Sequence, residues 1–217
     1  MTEEQDRRVA RTRAPGDRAR ARIVERAAAL ATVEGLDGLS IGGLAKETGV
    51  AKSSVHALFG SKESLQLATI HAARDSFVAE VVAPSLTSTE TGRERLLALC
   101  EGYLGYVERR VFPGGCFFVA VAAEVGARPG RVHDEVARVQ AEWRDLLIEE
   151  AQSAHERDEL PDRGDPEQLA FELGVILAGT NIVAVLHDDD RAIGRARTAV
   201  RARLSASAAR DARTASS

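Results

Sequence analysis

Two cysteines, five histidines and a scatter of carboxylates are the residues of this chain that could do covalent or metal chemistry. Cys116 follows Gly114 and Gly115 at an expected helix start, where the N-terminal dipole lowers a thiol pKa. It reads either as a thiol-reactive sensor or as a buried structural thiol. Cys100 is its only companion, and two cysteines make no disulfide framework. His71, His133, His155 and His187 are scattered, with no pair at metal-ligand spacing beside a carboxylate. No nucleophile–base pair and no phosphate loop can be found. The expectation is a chain with no catalytic residues, no metal site and no cofactor. The chemistry left to it is recognition.

The segment Ile41–Gly60, IGGLAKETGVAKSSVHALFG, has the pattern such recognition needs. Two short helices crossing at a steep angle require a small residue where one packs over the other, and Ala45 supplies it. The turn requires a residue that tolerates positive φ, and Gly49 supplies that. Leu44, Val50, Val55 and Leu58 are spaced to face inward. Ser40 reads as the N-cap of the first helix and Ser61 as the N-cap of the helix that follows. This is a helix-turn-helix pattern, though a short helix pair in any bundle shares parts of it.

The wider stretch from about Arg20 to Leu67 resembles the N-terminal domain of the tetracycline-repressor (TetR) family. The resemblance is carried by Gly35, Ser40, Ala45, Gly49, Val50, Lys52, Phe59, Lys62, Glu63 and Leu65. It implies a one-component transcriptional regulator, an expected repressor, that binds a palindromic double-stranded DNA operator as a homodimer and is released by a small-molecule effector. Activation stays open, because sign depends on operator position. The helix from Lys52 would enter the major groove with its N-terminal residues nearest the base edges. Lys52 would reach a phosphate or a guanine, and Ser53 and Ser54 are short donors and acceptors. His56 stands where the family often has a phosphate-contacting Tyr. Ser40 and Lys62 would meet phosphates at helix N-termini. Ala51, Ala57 and Leu58 depart from the family's usual residues, so base readout would lean on few side chains, on an arginine-rich arm or on DNA shape.

The aromatics gather in the other half of the chain. Tyr103, Tyr106, Phe112, Phe117, Phe118, Trp143 and Phe171 would line a small-molecule pocket or fill a bundle core. With Cys116 and Asn181, those other than Phe118 form the expected ligand-binding set. Asn181, a polar residue in an apolar helix, would bond a ligand or bond across a dimer seam. Gly174, Ala178 and Gly179 allow close helix approach. The helix holding them is expected to pair with the last helix in a four-helix dimer interface, as the corresponding helices do in the family.

These residues must be positioned by helices. With 44% hydrophobic residues the chain can bury a core, and its periodicity is helical throughout. Expected helices run from about Asp17 to Glu34, from Ile41, from Lys52 to Leu58, and from Ser61 to Val82, where Pro84 stops the last. Others follow from about Glu90 to Val111, Phe117 to Val125, Pro129 to His155, Pro166 to Leu186 and Asp189 to Leu204. Up to Lys62, eleven Lys and Arg stand against eight Asp and Glu, a net of +3, while the remainder carries −7. One end suits a polyanion. The fold class expected is all-α. A disordered basic arm (1–16) precedes a three-helix DNA-binding domain (17–65). A larger helical ligand-binding and dimerisation domain (66–206) and a flexible tail (207–217) complete the chain. No apolar run resembles a signal peptide or reads as long enough to span a bilayer, so the expectation is a cytoplasmic protein with no membrane partner.

Overall fold

The computed structural model describes residues 3–88, 90–160 and 164–205, and for residues 3–15 the backbone alone. The expected tail, 207–217, lies outside the described residues. Every regular element among them is helical: α1 (Glu3–Glu34), α2 (Ile41–Thr48), α3 (Lys52–Phe59), α4 (Lys62–Phe77), a π-helical turn (Val78–Val82), α5 (Ala83–Ser88), α6 (Arg93–Glu108), α7 (Phe117–Val125), α8 (Arg131–Glu156), α9 (Pro166–Leu186) and α10 (Arg191–Ser205).

Two expectations about the elements are corrected. The helix expected from Asp17 begins at Glu3, so the segment expected to be an irregular arm is helical from there. Its Arg, Ala and Glu are good helix formers even without an apolar face. Pro84 does not end the helical run. The amide of Ala83 reaches back five residues to the Val78 carbonyl, and helical backbone continues to Ser88. The wider π turn just ahead of Pro84 accommodates a residue with no N–H to give.

The chain divides into two compact units. One unit takes the chain through Asp75 together with Phe112–Val136; the other takes Ser76–Val111 and Ala137 onward. An internal segment thus joins the N-terminal unit.

In the first unit, Ile23, Val24, Ala27, Ala28 and Ala31 make the buried face of α1. Leu44 and Ala45 of α2, Val55 and Phe59 of α3, and Leu65, Ala68, Ile70 and Ala73 of α4 complete that core. Phe117, Val121 and Val125 of α7 are buried as well, and α7 packs on α1. The physical reason for the extended unit is that α1 has apolar surface for both α2–α3 and α7.

In the second unit α6 is central. Leu96, Leu99, Cys100, Tyr103, Leu104, Tyr106 and Val107 are all buried on it. The Ile193, Ala196, Val200 and Leu204 stripe of α10 and the Leu169, Leu173 and Leu177 side of α9 add to this core, and both helices pack on α6. Arg197 of α10 ties Glu101 at 2.9 Å and Glu108 at 2.7 Å, and Arg201 reaches Glu101 at 2.8 Å. The buried Glu150 of α8 is satisfied at the start of α6: it accepts from the Gly92 amide and the Thr91 hydroxyl, both at 2.7 Å, and from Arg95 at 3.2 Å. A carboxylate suits the positive end of a helix.

The sequence reading underestimated α9. Its 21 residues are long and apolar enough, by length and composition, to cross a membrane. One side is core. The other leaves Phe171, Val175, Ile182 and Leu186 exposed, at i, i+4, i+11 and i+15, on one helical stripe.

Candidate nucleic-acid interface

Ser40 has extended backbone, and its hydroxyl oxygen accepts from the Gly43 amide at 3.0 Å, so it caps α2 as its residue type suggests. The amides at the start of such a helix point outward and favour an anion. Gly49 closes α2 with φ 67°, the left-handed conformation the turn requires. Across that turn α3 presents Lys52, Ser53, Ser54, His56 and Ala57 to solvent while Val55 and Phe59 are buried and Leu58 is half-buried. The stem of Lys52 lies over the first turn of α2: a Cβ placed on Gly42 would sit 4.0 Å from its Cε. A primary ammonium and the open end of a helix are thus brought to one place, which is the chemistry of phosphate contact. Arg20 of α1 lies over the Phe59 ring at 5.4 Å, a cation–π contact on the back of α3.

Ser61 caps α4, accepting from the Ser64 amide at 3.0 Å. Lys62 is exposed, and its Nζ donates to the Asp37 carbonyl at 2.5 Å, so it is anchored to the α1–α2 turn at Leu36–Ser40. That turn holds residues the sequence reading missed. Gln66 donates to the Leu36 carbonyl at 3.0 Å, and Glu124 accepts from the Leu36 and Asp37 amides. Nothing near Glu124 in sequence marks it, because its partners lie 88 and 87 residues away.

The eight expected ligand residues are divided between the two units. Tyr103 and Tyr106 of α6 and Trp143 of α8 surround Phe77, with ring centroids 6.1, 5.7 and 5.2 Å from it, edge to face. Phe77 was not among the expected set; it is the hub of this cluster in the second unit. Phe112, Cys116 and Phe117 fall in the first unit instead, where Phe117 is 6.4 Å from Phe112 and 5.2 Å from Phe118. Phe171 is on the exposed face of α9, and Asn181 is buried on the same helix. Cys116 stands at the N-cap of α7 and is buried. Cys100 is buried too, and desolvation, with Glu101 beside it, pushes its thiol up to about 12, so it has no thiolate character near neutrality. No group of three or more potential metal ligands exists among the described residues.

Two family descriptions match the chain in succession. Residues 23–69 match the family description "Bacterial regulatory proteins, tetR family". Residues 92–200, half of the chain, match "Tetracyclin repressor-like, C-terminal domain". No curated protein sequence matches the chain. Among solved structures, a TetR transcriptional regulator from Chloroflexus aurantiacus superposes with TM-score 0.78 at 27% identity, over 86% of this chain and 93% of that one. A TetR-family regulator from Agrobacterium tumefaciens gives 0.78 at 19% identity, covering 88% and 100%. AibR, solved in complex with isovaleryl coenzyme A and operator DNA, gives 0.66 at 21% identity, covering 85% and 98%. With a capped helix-turn-helix at one end and a helical region matched over half of the chain, this chain belongs to the TetR family of DNA-binding transcriptional regulators.

Proposed function

We propose that this protein is a repressor that binds a two-fold symmetric operator as a homodimer and is released by a small organic ligand. The observation that carries the reading is the first turn of α3. Lys52, Ser53 and Ser54 are all exposed there, with Lys52 lying over the N-terminal turn of α2. His56 continues this surface one turn on, and Ser40 and Lys62 flank it at the starts of α2 and α4. A single eight-residue helix reads too few bases, so two copies must act together about one helical turn apart or a multiple of it.

The exposed stripe of α9 supports the dimer. Gly174 and Gly179 beside it have no heavy atom within 4 Å of an added Cβ, which leaves room for a partner backbone. The same holds for Gly194 on α10. The cluster around Phe77 supports the ligand site. Trp143 is only half-buried there, and the rings rise from the π turn's edge, α6 and α8 of one unit. AibR, of the same fold, is solved with both a ligand and operator DNA. Ligand and DNA would then weaken each other by one common factor, ordinarily ~5–150-fold. The place of work is the cytoplasm, where the DNA is.

The test uses a duplex enriched from a random library by the wild-type protein. Lys52→Ala is expected to weaken binding to it and to lower the salt slope by about one if Lys52 meets a phosphate. If Lys52 reads a guanine, the loss is instead ~1–3 kcal/mol at one base position. Unchanged binding at low and high salt would refute the assignment of α3.

A further inference from the structure

We infer that Glu124 is a positioning residue for DNA binding: its carboxylate, from α7, holds the α1–α2 turn in the geometry that lets Ser40 and Lys62 meet phosphate. The inference rests on the reading of α2–α3 given above. It concerns a residue far from the motif in sequence.

The turn is gripped from two directions. Glu124 Oε2 accepts from the Leu36 amide at 2.8 Å and Oε1 from the Asp37 amide at 2.7 Å, so both oxygens are used on consecutive N–H groups. Gly35 has φ 78°, and a Cβ there would lie 2.7 Å from Glu124 Oε2. The missing side chain is therefore what lets the carboxylate approach. From α4, Gln66 donates to the Leu36 carbonyl and Lys62 to the Asp37 carbonyl, and Arg128 pairs with the Asp37 carboxylate. Amides and carbonyls of Leu36 and Asp37 are thus all held by side chains. Leu36 and Leu39 are buried, and Ser40 follows as the α2 cap. Any shift of Leu36 and Asp37 moves the start of α2 and the anchor of Lys62 together.

The sign of one substitution separates positioning from charge. Glu124→Gln removes a negative charge from the DNA-binding unit. Electrostatics alone would make DNA binding tighter. Loss of positioning makes it weaker, because an amide offers one acceptor to two donors and turns an N–H against the second. The experiment compares wild type, Glu124→Gln and Glu124→Asp on the duplex enriched by the wild-type protein. Affinity is measured across a salt series, and amide exchange at Leu36 and Asp37 by NMR. Glu124→Asp keeps the charge but is one methylene short of spanning both amides, so it tests the same geometry if the Gln variant does not fold.

The expected result is a Kd raised about tenfold for Glu124→Gln, ~1.4 kcal/mol. The salt slope should be lower by about one, with exchange at both amides faster by roughly tenfold or more. Glu124→Asp is expected to change in the same direction. Tighter or unchanged binding by the folded variants overturns the inference, as does a lowered Tm with the affinity and salt slope of the wild type. A wild-type protein that enriches no duplex overturns the reading of α3 itself, and this inference with it.

Discussion

Phe171→Ala should separate the proposed dimer, and the size of the effect follows from the structure. Phe171 is 63% exposed on α9, flanked along one stripe by Val175 at 55%, Ile182 at 51% and Leu186 at 71%. Fully burying a Phe side chain is worth ~1.5–3 kcal/mol. With a little under two-thirds of it still open, a partner that covers it adds roughly 1–2 kcal/mol per copy. At a two-fold interface the same residue counts twice. The dimer should therefore lose roughly 2–4 kcal/mol, a rise in Kd of about 30- to 1000-fold. Within one protomer the change touches little core, so the fold should hold to within about 0.5 kcal/mol. Sedimentation velocity over a concentration series reads the dissociation constant, and circular dichroism checks the fold. Val33→Ala is the matched control, since Val33 is 67% exposed on α1, in the other unit. A Phe171→Ala protein that dimerises within about twofold of wild type would refute the reasoning. So would a Val33→Ala protein that weakens just as much.

Gly114→Ala is expected to destabilise the first unit by at least the ~1–3 kcal/mol of an overpacked core. Its amide donates to the Thr32 hydroxyl at 3.0 Å, and an added Cβ would fall on the Thr32 carbonyl, which is backbone and cannot swing away. Chemical denaturation measures this, and wild-type stability would refute the packing. For pH, four carboxyls of the second unit are held below their ordinary range: Glu108 by Arg197, Glu159 by the Arg93 amide, Glu172 by Gln168 and Arg203, and Asp189 by Arg191. Groups depressed in the folded state contribute stability that is fully present above their ordinary values, 4.5 for Glu and 3.8 for Asp, and is lost as pH falls through the folded ones. The Tm is expected to hold from neutral down to about pH 5 and to fall below it; a Tm flat through pH 3, or rising, would count against these pairings.

Much of the helix-turn-helix was legible because its determinants are local. Ser40 bonds an amide three residues on, Ser61 does the same, and Gly49 acts through its own φ. The helix start at Glu3 was not legible because charged residues carry no apolar period, only propensity. Pro84 was misread because the rule for a helical proline concerns the i→i−4 bond, and the chain here uses i→i−5. Phe171 looked like a pocket residue because an aromatic on an apolar helix does not reveal which side is core. Phe77 is marked as a hub only by its three ring contacts, which no local pattern reveals. Glu124, Gly35 and Gly114 act across long separations, and no window on the sequence joins them.

The joining of Phe112–Val136 to the N-terminal unit has a consequence for biosynthesis. The helix-turn-helix is made before α7, and the α7 residues that pack on α1 are encoded after a stretch belonging to the other unit. At ~5–20 residues per second, the chain from Ser76 through Val136 takes about 3–12 s to be made. During that time Ile23, Ala27 and Ala31 have α2–α3 to pack on but not α7, and Leu36 and Asp37 lack their carboxylate. A contact closing 88 residues of chain is also slow to find by diffusion. The nascent protein therefore spends seconds with part of its first core open to chaperones and to other nascent chains. A shortened chain that stops near residue 75 would remain in that condition. The helix-turn-helix is thus synthesised ahead of α7 and finished only after it.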